Sequence, residues 1–257
     1  MLVRRHAADG TFGRRPDPLI VEEPMQIRLD GELVATTMRT PGHDYELAAG
    51  WCFTEGLLAG APVSTVRYCA TGGAAETAFN VVTVDTGGLA PLAVPRLTTA
   101  TSSCGLCGSE SLTELRTRLH PLPTAEQPIP LSVLLAVPDA VRAAQELFGL
   151  TGAVHAAAAF EASGRPLVVR EDVGRHNAVD KVVGRLLLDG RLPAVGLGLF
   201  VSGRASFELV QKAWAAGFAT MVAVSAPTAL AVETARAGGI RLVGFLRDGA
   251  ANEYAPA

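Results

Sequence analysis

The chain of 257 residues is 49% hydrophobic and 18% charged, which provides a sizeable core and excludes a disordered chain. A formal net charge of −3 excludes a global basic field for nucleic acid. The longest apolar runs, such as residues 195–201, are too short to cross a bilayer.

Residues 1–18 hold two arginine pairs, Arg4-Arg5 and Arg14-Arg15, and neither is followed by the apolar stretch of an export signal. The segment reads as a flexible, solvated tail, and a cytoplasmic location is expected. Around Asp30-Gly31 two alternating runs within residues 24–40 predict a hairpin, because an Asp-Gly pair suits a tight turn. Asp44 is expected to cap a helix running to about residue 58, with Leu47, Ala48 and Trp51 on its buried face. Strand-like runs follow at 63–70 and 79–85, and a shorter one at 89–94. Residues 19–108 therefore read as a small β-rich lobe that ends in the loop Thr101-Ser102-Ser103-Cys104-Gly105-Leu106-Cys107-Gly108.

Beyond the loop, Ser111-Leu112-Thr113-Glu114 fits a capping box for a helix to Leu119, and four prolines between 121 and 130 read as a connection. A helix is expected at 138–148. Apolar strands then alternate with amphipathic helices: strands at 154–160, 167–170, 195–201, 220–224 and 240–246, helices at 175–188, 206–216 and 228–237. Gly190, Gly217 and Gly238-Gly239 fall where helix C-caps belong. The expected class is α/β (α+β overall), with residues 109–257 as a three-layer α/β domain on a largely parallel sheet.

Of the four cysteines, Cys52 and Cys69 lie in apolar stretches and read as small buried hydrophobes. Cys104 and Cys107 differ, since their neighbours are polar and glycine-rich. A helix starting just after Cys107 would turn its N-terminal amides toward a thiolate and lower its pKa. The spacing alone admits a zinc clip, a dithiol redox pair or a sulfur-carrying nucleophile. Zinc would need two further ligands that no second Cys-x-x-Cys supplies.

Two polar clusters stand at predicted strand ends. Glu171-Asp172-Val173-Gly174-Arg175-His176-Asn177 continues through Asp180-Lys181 into a helix, and Ser202-Gly203-Arg204-Ala205-Ser206 repeats the strand–turn–helix pattern. Such turns present amides and cations to an anion, so a phosphorylated or nucleotide-like ligand is expected there. They lack the Walker and Rossmann glycine spacings. His155, in a run of alanines, reads as a packed core residue. Deaminase chemistry is excluded, because Ala157 stands where that chemistry needs a glutamate.

Taken in order, these segments resemble the formate dehydrogenase accessory sulfurtransferases, the FdhD/NarQ-like sulfur carriers. The resemblance rests on Pro41-Gly42-His43-Asp44, Phe53-Thr54-Glu55-Gly56, Ser102-Ser103-Cys104-Gly105 with Cys107-Gly108, and Gly174-Arg175-His176-Asn177 through Lys181. It continues in Ser202-Gly203-Arg204, Ser225-Ala226-Pro227-Thr228 and Gly244-Phe245 with Arg247. It implies a larger domain similar to the cytidine deaminase fold, a homodimer, and no permanent metal. It also implies transfer of sulfur from a cysteine desulfurase, as a persulfide on Cys104 with Cys107 assisting, to a molybdenum or tungsten bis(molybdopterin guanine dinucleotide) cofactor destined for formate dehydrogenase. Cofactor contact is expected from Phe245, Leu246, Arg247, Asp248, Gly249 and Ala250, with Arg204 and Arg247 toward phosphates and His176 near the pterin.

Overall fold

The computed structural model describes residues 1–8, 10–69, 79–91, 108–123 and 127–255. Cys104 and Cys107 lie outside them, as does most of the run expected at 89–94; its described part, residues 89–91, is not a strand.

Residues 1–18 are not an unpaired tail. They form an exposed antiparallel hairpin of β1 (Leu2–His6) and β2 (Phe12–Pro16). The hairpin at Asp30-Gly31 forms as expected, from β3 (Glu23–Leu29) and β4 (Glu32–Arg39), with both turn residues at positive φ. Helix α1 (Asp44–Thr54) is shorter than expected and gives way to turns over residues 55–60. Its N-cap is His43, in the left-handed region, and Asp44 instead accepts from the Gly42 amide and pairs with Arg39. Strands β5 (Thr65–Tyr68) and β6 (Val81–Asp85) complete a four-stranded sheet of order β4-β3-β6-β5. Met25, Ile27, Val82 and Val84 pack from this sheet onto Leu47, Ala48 and Cys52 of α1.

Helix α2 (Gly108–Arg118) begins directly after Cys107, so Ser111 lies inside it and not at its cap. Helix α3 (Leu131–Ala143) starts seven residues before Pro138, which sits within it. The buried stripe Leu134, Val137, Val141 explains this, because it spans the proline at helical spacing and packs on the large sheet. Helix α4 (Glu146–Thr151) contains Gly149 and is closed by Gly152 at φ 66°.

The large sheet has the order β12-β11-β10-β9-β7-β8. Its strands are β7 (His155–Phe160), β8 (Pro166–Asp172), β9 (Gly198–Val201), β10 (Thr220–Ala223), β11 (Arg241–Arg247) and β12 (Ala250–Ala255). Only the β9–β10 and β10–β11 pairs are parallel, so the sheet is mixed, not largely parallel. Antiparallel pairing enters through the β7–β8 hairpin and through β12, which the sequence reading missed. Helices α5 (Arg175–Leu188), α6 (Phe207–Ala216) and α7 (Ala229–Gly238) cover one face and α3 the other. Along β7, Ala157 and Ala159 face the three helices while Ala156, Ala158 and Phe160 face α3, which is why the strand reads as a continuous apolar run. Helix α1 packs against α5 and stacks the smaller sheet onto the larger assembly.

Candidate functional site at the strand ends

Strands β9, β10 and β11 finish at one edge, and backbone hydrogen bonds tie together the turns that follow. The Ser225 amide donates to the Gly203 carbonyl (3.3 Å), Phe245 to Ser225 (3.2 Å) and Thr228 to Ala205 (3.0 Å). Because β7 runs the opposite way, its first residue meets the end of β9. The Ala156 amide donates to Ser202 Oγ (2.9 Å), and Ser202 Oγ lies 3.4 Å from His155 Nδ1. A side chain at Gly203 would meet the His155 imidazole at 3.5 Å and Arg175 Cδ at 4.0 Å, so its absence keeps the centre of the site open. Burial lowers the His155 pKa, and Arg175 and His176 lower it further against the opposing pull of Asp172.

The site holds donors that the protein leaves unused. Arg175 opens α5; its Nε is buried without a partner, and its guanidinium makes no hydrogen bond or ion pair among the described residues. Ser206, N-cap of α6, has a buried hydroxyl without a partner, and neither it nor Gly174 caps its helix through a side chain. Arg204 and Arg247 are exposed, and Arg247 stacks over Phe245 at 5.7 Å. His176 contacts the Glu208 carboxylate of α6, off the line of a directed hydrogen bond. Cationic and hydroxyl donors without partners, beside two helix N-termini without side-chain caps, have the chemistry that suits a polyanionic ligand.

The expected cofactor segment divides in this structure. Phe245 is half-buried at φ 51°, and Leu246 is buried in the core under α3, leaving its backbone as its route of contact. Asp248 and Gly249, both at positive φ, form the turn into β12, and Ala250 is the first residue of that strand. His155 is only half-buried and belongs to the site rather than to the core. Sequence reasoning left Arg175 and Ser206 out of the residue set. Their signal was readable, a basic residue and a serine each opening a helix after a strand, but not their lack of partners.

Asp172 and the second half of the Glu171–Lys181 cluster point elsewhere. Asp172 is fully buried and accepts from the Thr40 amide (3.1 Å), Asn177 Nδ2 (3.0 Å) and Lys181 Nζ (2.7 Å). Lys181 also donates to the Thr40 carbonyl (2.9 Å), and Asn177 to the Met38 carbonyl (2.8 Å). Thr54 Oγ1 donates to Asp180 (2.8 Å), whose other contact is Lys212 Nζ at 3.0 Å, and Lys212 reaches Glu55 at 3.0 Å. These groups join the two sheet assemblies and do not line the strand-end site. Cys52 is equally remote from chemistry: burial, with Asp180 and Glu55 adding to it, pushes its thiol far above the ordinary range. Among the described residues no three His, Cys, Asp or Glu side chains are grouped to hold a metal, and no helix is long and apolar enough to cross a membrane.

Fold and strand ends together define a mixed α+β protein with unpartnered donors beside the ends of its central strands. The chain belongs to the FdhD/NarQ family, whose model matches residues 20–257. It is 48% identical to the sulfur carrier protein FdhD of Streptomyces avermitilis, across 96% of this chain and 90% of that one. It is also 48% identical to the sulfur carrier protein FdhD of Mycolicibacterium paratuberculosis, across 97% and 94%. The fold is shared with the crystal structure of a Desulfotalea psychrophila protein described as a formate dehydrogenase accessory protein. That match has a TM-score of 0.77 and 23% identity, over 99% of this chain and 95% of that one.

Proposed function

We propose that this chain is a cytoplasmic, homodimeric sulfur carrier serving formate dehydrogenase. Cys104 takes sulfur from a cysteine desulfurase and delivers it to a molybdenum or tungsten bis(molybdopterin guanine dinucleotide) cofactor, which is bound as cargo. The observation that carries the reading is nearly end-to-end 48% identity with sulfur carrier proteins. The start of α2 at Gly108, directly after the thiol pair, supports it, because helix N-terminal amides stabilise a thiolate.

In the loading step the Cys104 thiolate attacks the terminal sulfur of the donor's persulfide. The donor S–S bond breaks, the donor leaves as a thiolate, and Cys104 holds the new persulfide. In the delivery step the Cys107 thiolate attacks Cys104 Sγ. A Cys104–Cys107 disulfide forms, hydrosulfide leaves toward the metal, and a dithiol reductant must restore the pair. The cargo's phosphates suit the unpaired Arg175 and Ser206 donors and the exposed Arg204 and Arg247. His176 and residues 245–250 are the remaining groups assigned to the cargo in this reading.

Intact-protein mass spectrometry after incubation with a desulfurase and free cysteine tests the reading. The expected result is a gain of about 32 Da, removed by thiol reductant as persulfide exchange requires. The adduct should vanish in Cys104→Ala and persist in Cys52→Ala. An adduct of the same yield on Cys104→Ala would overturn the assignment.

A further inference from the structure

Residues 1–18 precede the segment matched by the family model and play no part in the strand-end site. Strands β1 and β2 pair through residues 2–6 and 12–16, and a turn with Gly10 at φ 83° joins them. Almost every residue of the hairpin is exposed, including Leu2 and Phe12. At its base the segment closes on itself: the Met1 amine donates to the Asp17 carbonyl, and Arg15 faces Asp17 at 3.7 Å.

Such a ribbon is marginal alone, because two strands without a packed face bury too little to hold themselves together. This one also works against itself. Arg4 and Arg14 are direct cross-strand partners, and like charges placed opposite each other destabilise a pair. Leu2, Arg4, His6, Phe12 and Arg14 share one face, where Arg4 lies 4.6 Å from the Phe12 ring centroid and His6 tilts against it at 5.9 Å. This face needs an anionic, partly apolar cover. The segment carries four arginines against two aspartates, so residues 19–257 carry 18 cationic and 23 anionic side chains, a net −5. The basic ribbon and the acidic body are complementary, whereas the same body repels a nucleic acid.

We infer that the β1–β2 hairpin is an arm that docks on the acidic body of a second copy of this chain, so that each protomer covers the other's ribbon. The inference rests on the homodimer of the proposed function. The test is sedimentation velocity on the full chain over a concentration series at low and high salt, compared with the Arg4→Glu/Arg5→Glu/Arg14→Glu/Arg15→Glu variant. Because the four substituted arginines are exposed, the variant is expected to keep the body fold, which circular dichroism checks. The expected result is a dimer that salt weakens and that the variant weakens about tenfold or more. Equal dimerisation by the variant overturns the arm but leaves the homodimer standing, while a full chain that stays monomeric overturns both. A mobility shift of double-stranded DNA that the full chain produces and the variant does not, without any change in dimerisation, would assign the ribbon to nucleic acid and overturn the inference.

Discussion

His155, expected in the core, is only half-buried. A histidine among alanines reads as core, yet only one side of it packs; the other meets Ser202, Gly203 and Arg175 at the open strand ends. Burial first, then Arg175 and His176, holds its pKa below the ordinary 6.5, so the folded protein keeps the imidazole neutral where the unfolded chain protonates it. More protons on the unfolded state means that stability falls as pH drops through 6.5. Denaturant titrations between pH 8 and pH 5 should show this slope in the parent and a shallower one in His155→Gln. Bound polyanion would reverse the preference by favouring the imidazolium, so a guanine nucleotide should raise the pKa of this histidine in NMR titrations.

At the scale of elements, helices α1 and α5 approach so closely that only glycine fits at the crossing. A Cβ on Gly50 would overlap the Asp180 carbonyl, and one on Gly184 would overlap the Glu46 carbonyl. Both obstacles are backbone, so no rotamer change relieves them. Gly50→Ala and Gly184→Ala should each cost about 3 kcal/mol or more, at or beyond the upper end of core overpacking, as read from chemical unfolding. Beside the crossing, Arg170 Nη2 donates to Glu46 (2.8 Å) and His43 lies 3.5 Å from it. Burial raises the Glu46 pKa, but the Arg170 and His43 contacts outweigh it and leave the carboxyl at about 2, against an ordinary 4.5. The stability it adds is complete above pH 4.5 and is lost as pH falls toward 2. Glu46→Gln should lower stability at neutral pH and flatten acid unfolding across that window. Most elements were legible in the sequence, because apolar periodicity and glycine caps mark α5, α6 and α7 to within a residue or two. The Asp30-Gly31 hairpin was legible for the same local reason, and Asp248-Gly249 is the same signal, overlooked because the short, polar strand β12 offers no apolar run to flank it. Pairing direction was not legible, since a strand buried on both faces has the same composition in either orientation.

Across the whole molecule, the smaller sheet is joined to the larger one by buried charge as well as by apolar contact. Lys212 on α6 reaches Thr54 and Glu55 at the end of α1 and Asp180 on α5, all at 2.9–3.0 Å. Burial opposes the Lys212 charge, yet the Asp180 and Glu55 carboxylates outweigh it and raise the pKa, so the ammonium persists. The sequence placed Asp180 and Lys181 beside a ligand because charge opening a helix after a strand suits an anion pocket equally well. What separates the two meanings is helical phase. Arg175 approaches Gly203 at the strand ends and His176 meets Glu208 of α6, whereas Asn177, Asp180 and Lys181 are buried toward α1, β4 and α6. Removing one member of such a cluster leaves the others charged, buried and unpaired, whereas removing a pair leaves less to compensate. Lys212→Met should therefore cost about 3–5 kcal/mol in urea unfolding. Glu55→Gln combined with Lys212→Met should cost distinctly less than the two single losses added together, because their direct contact couples the end of α1 to α6. Strict additivity in that double-mutant cycle would show that the ion cluster does not bind the two assemblies to each other. In that case the apolar packing of α1 on α5 would carry the junction alone.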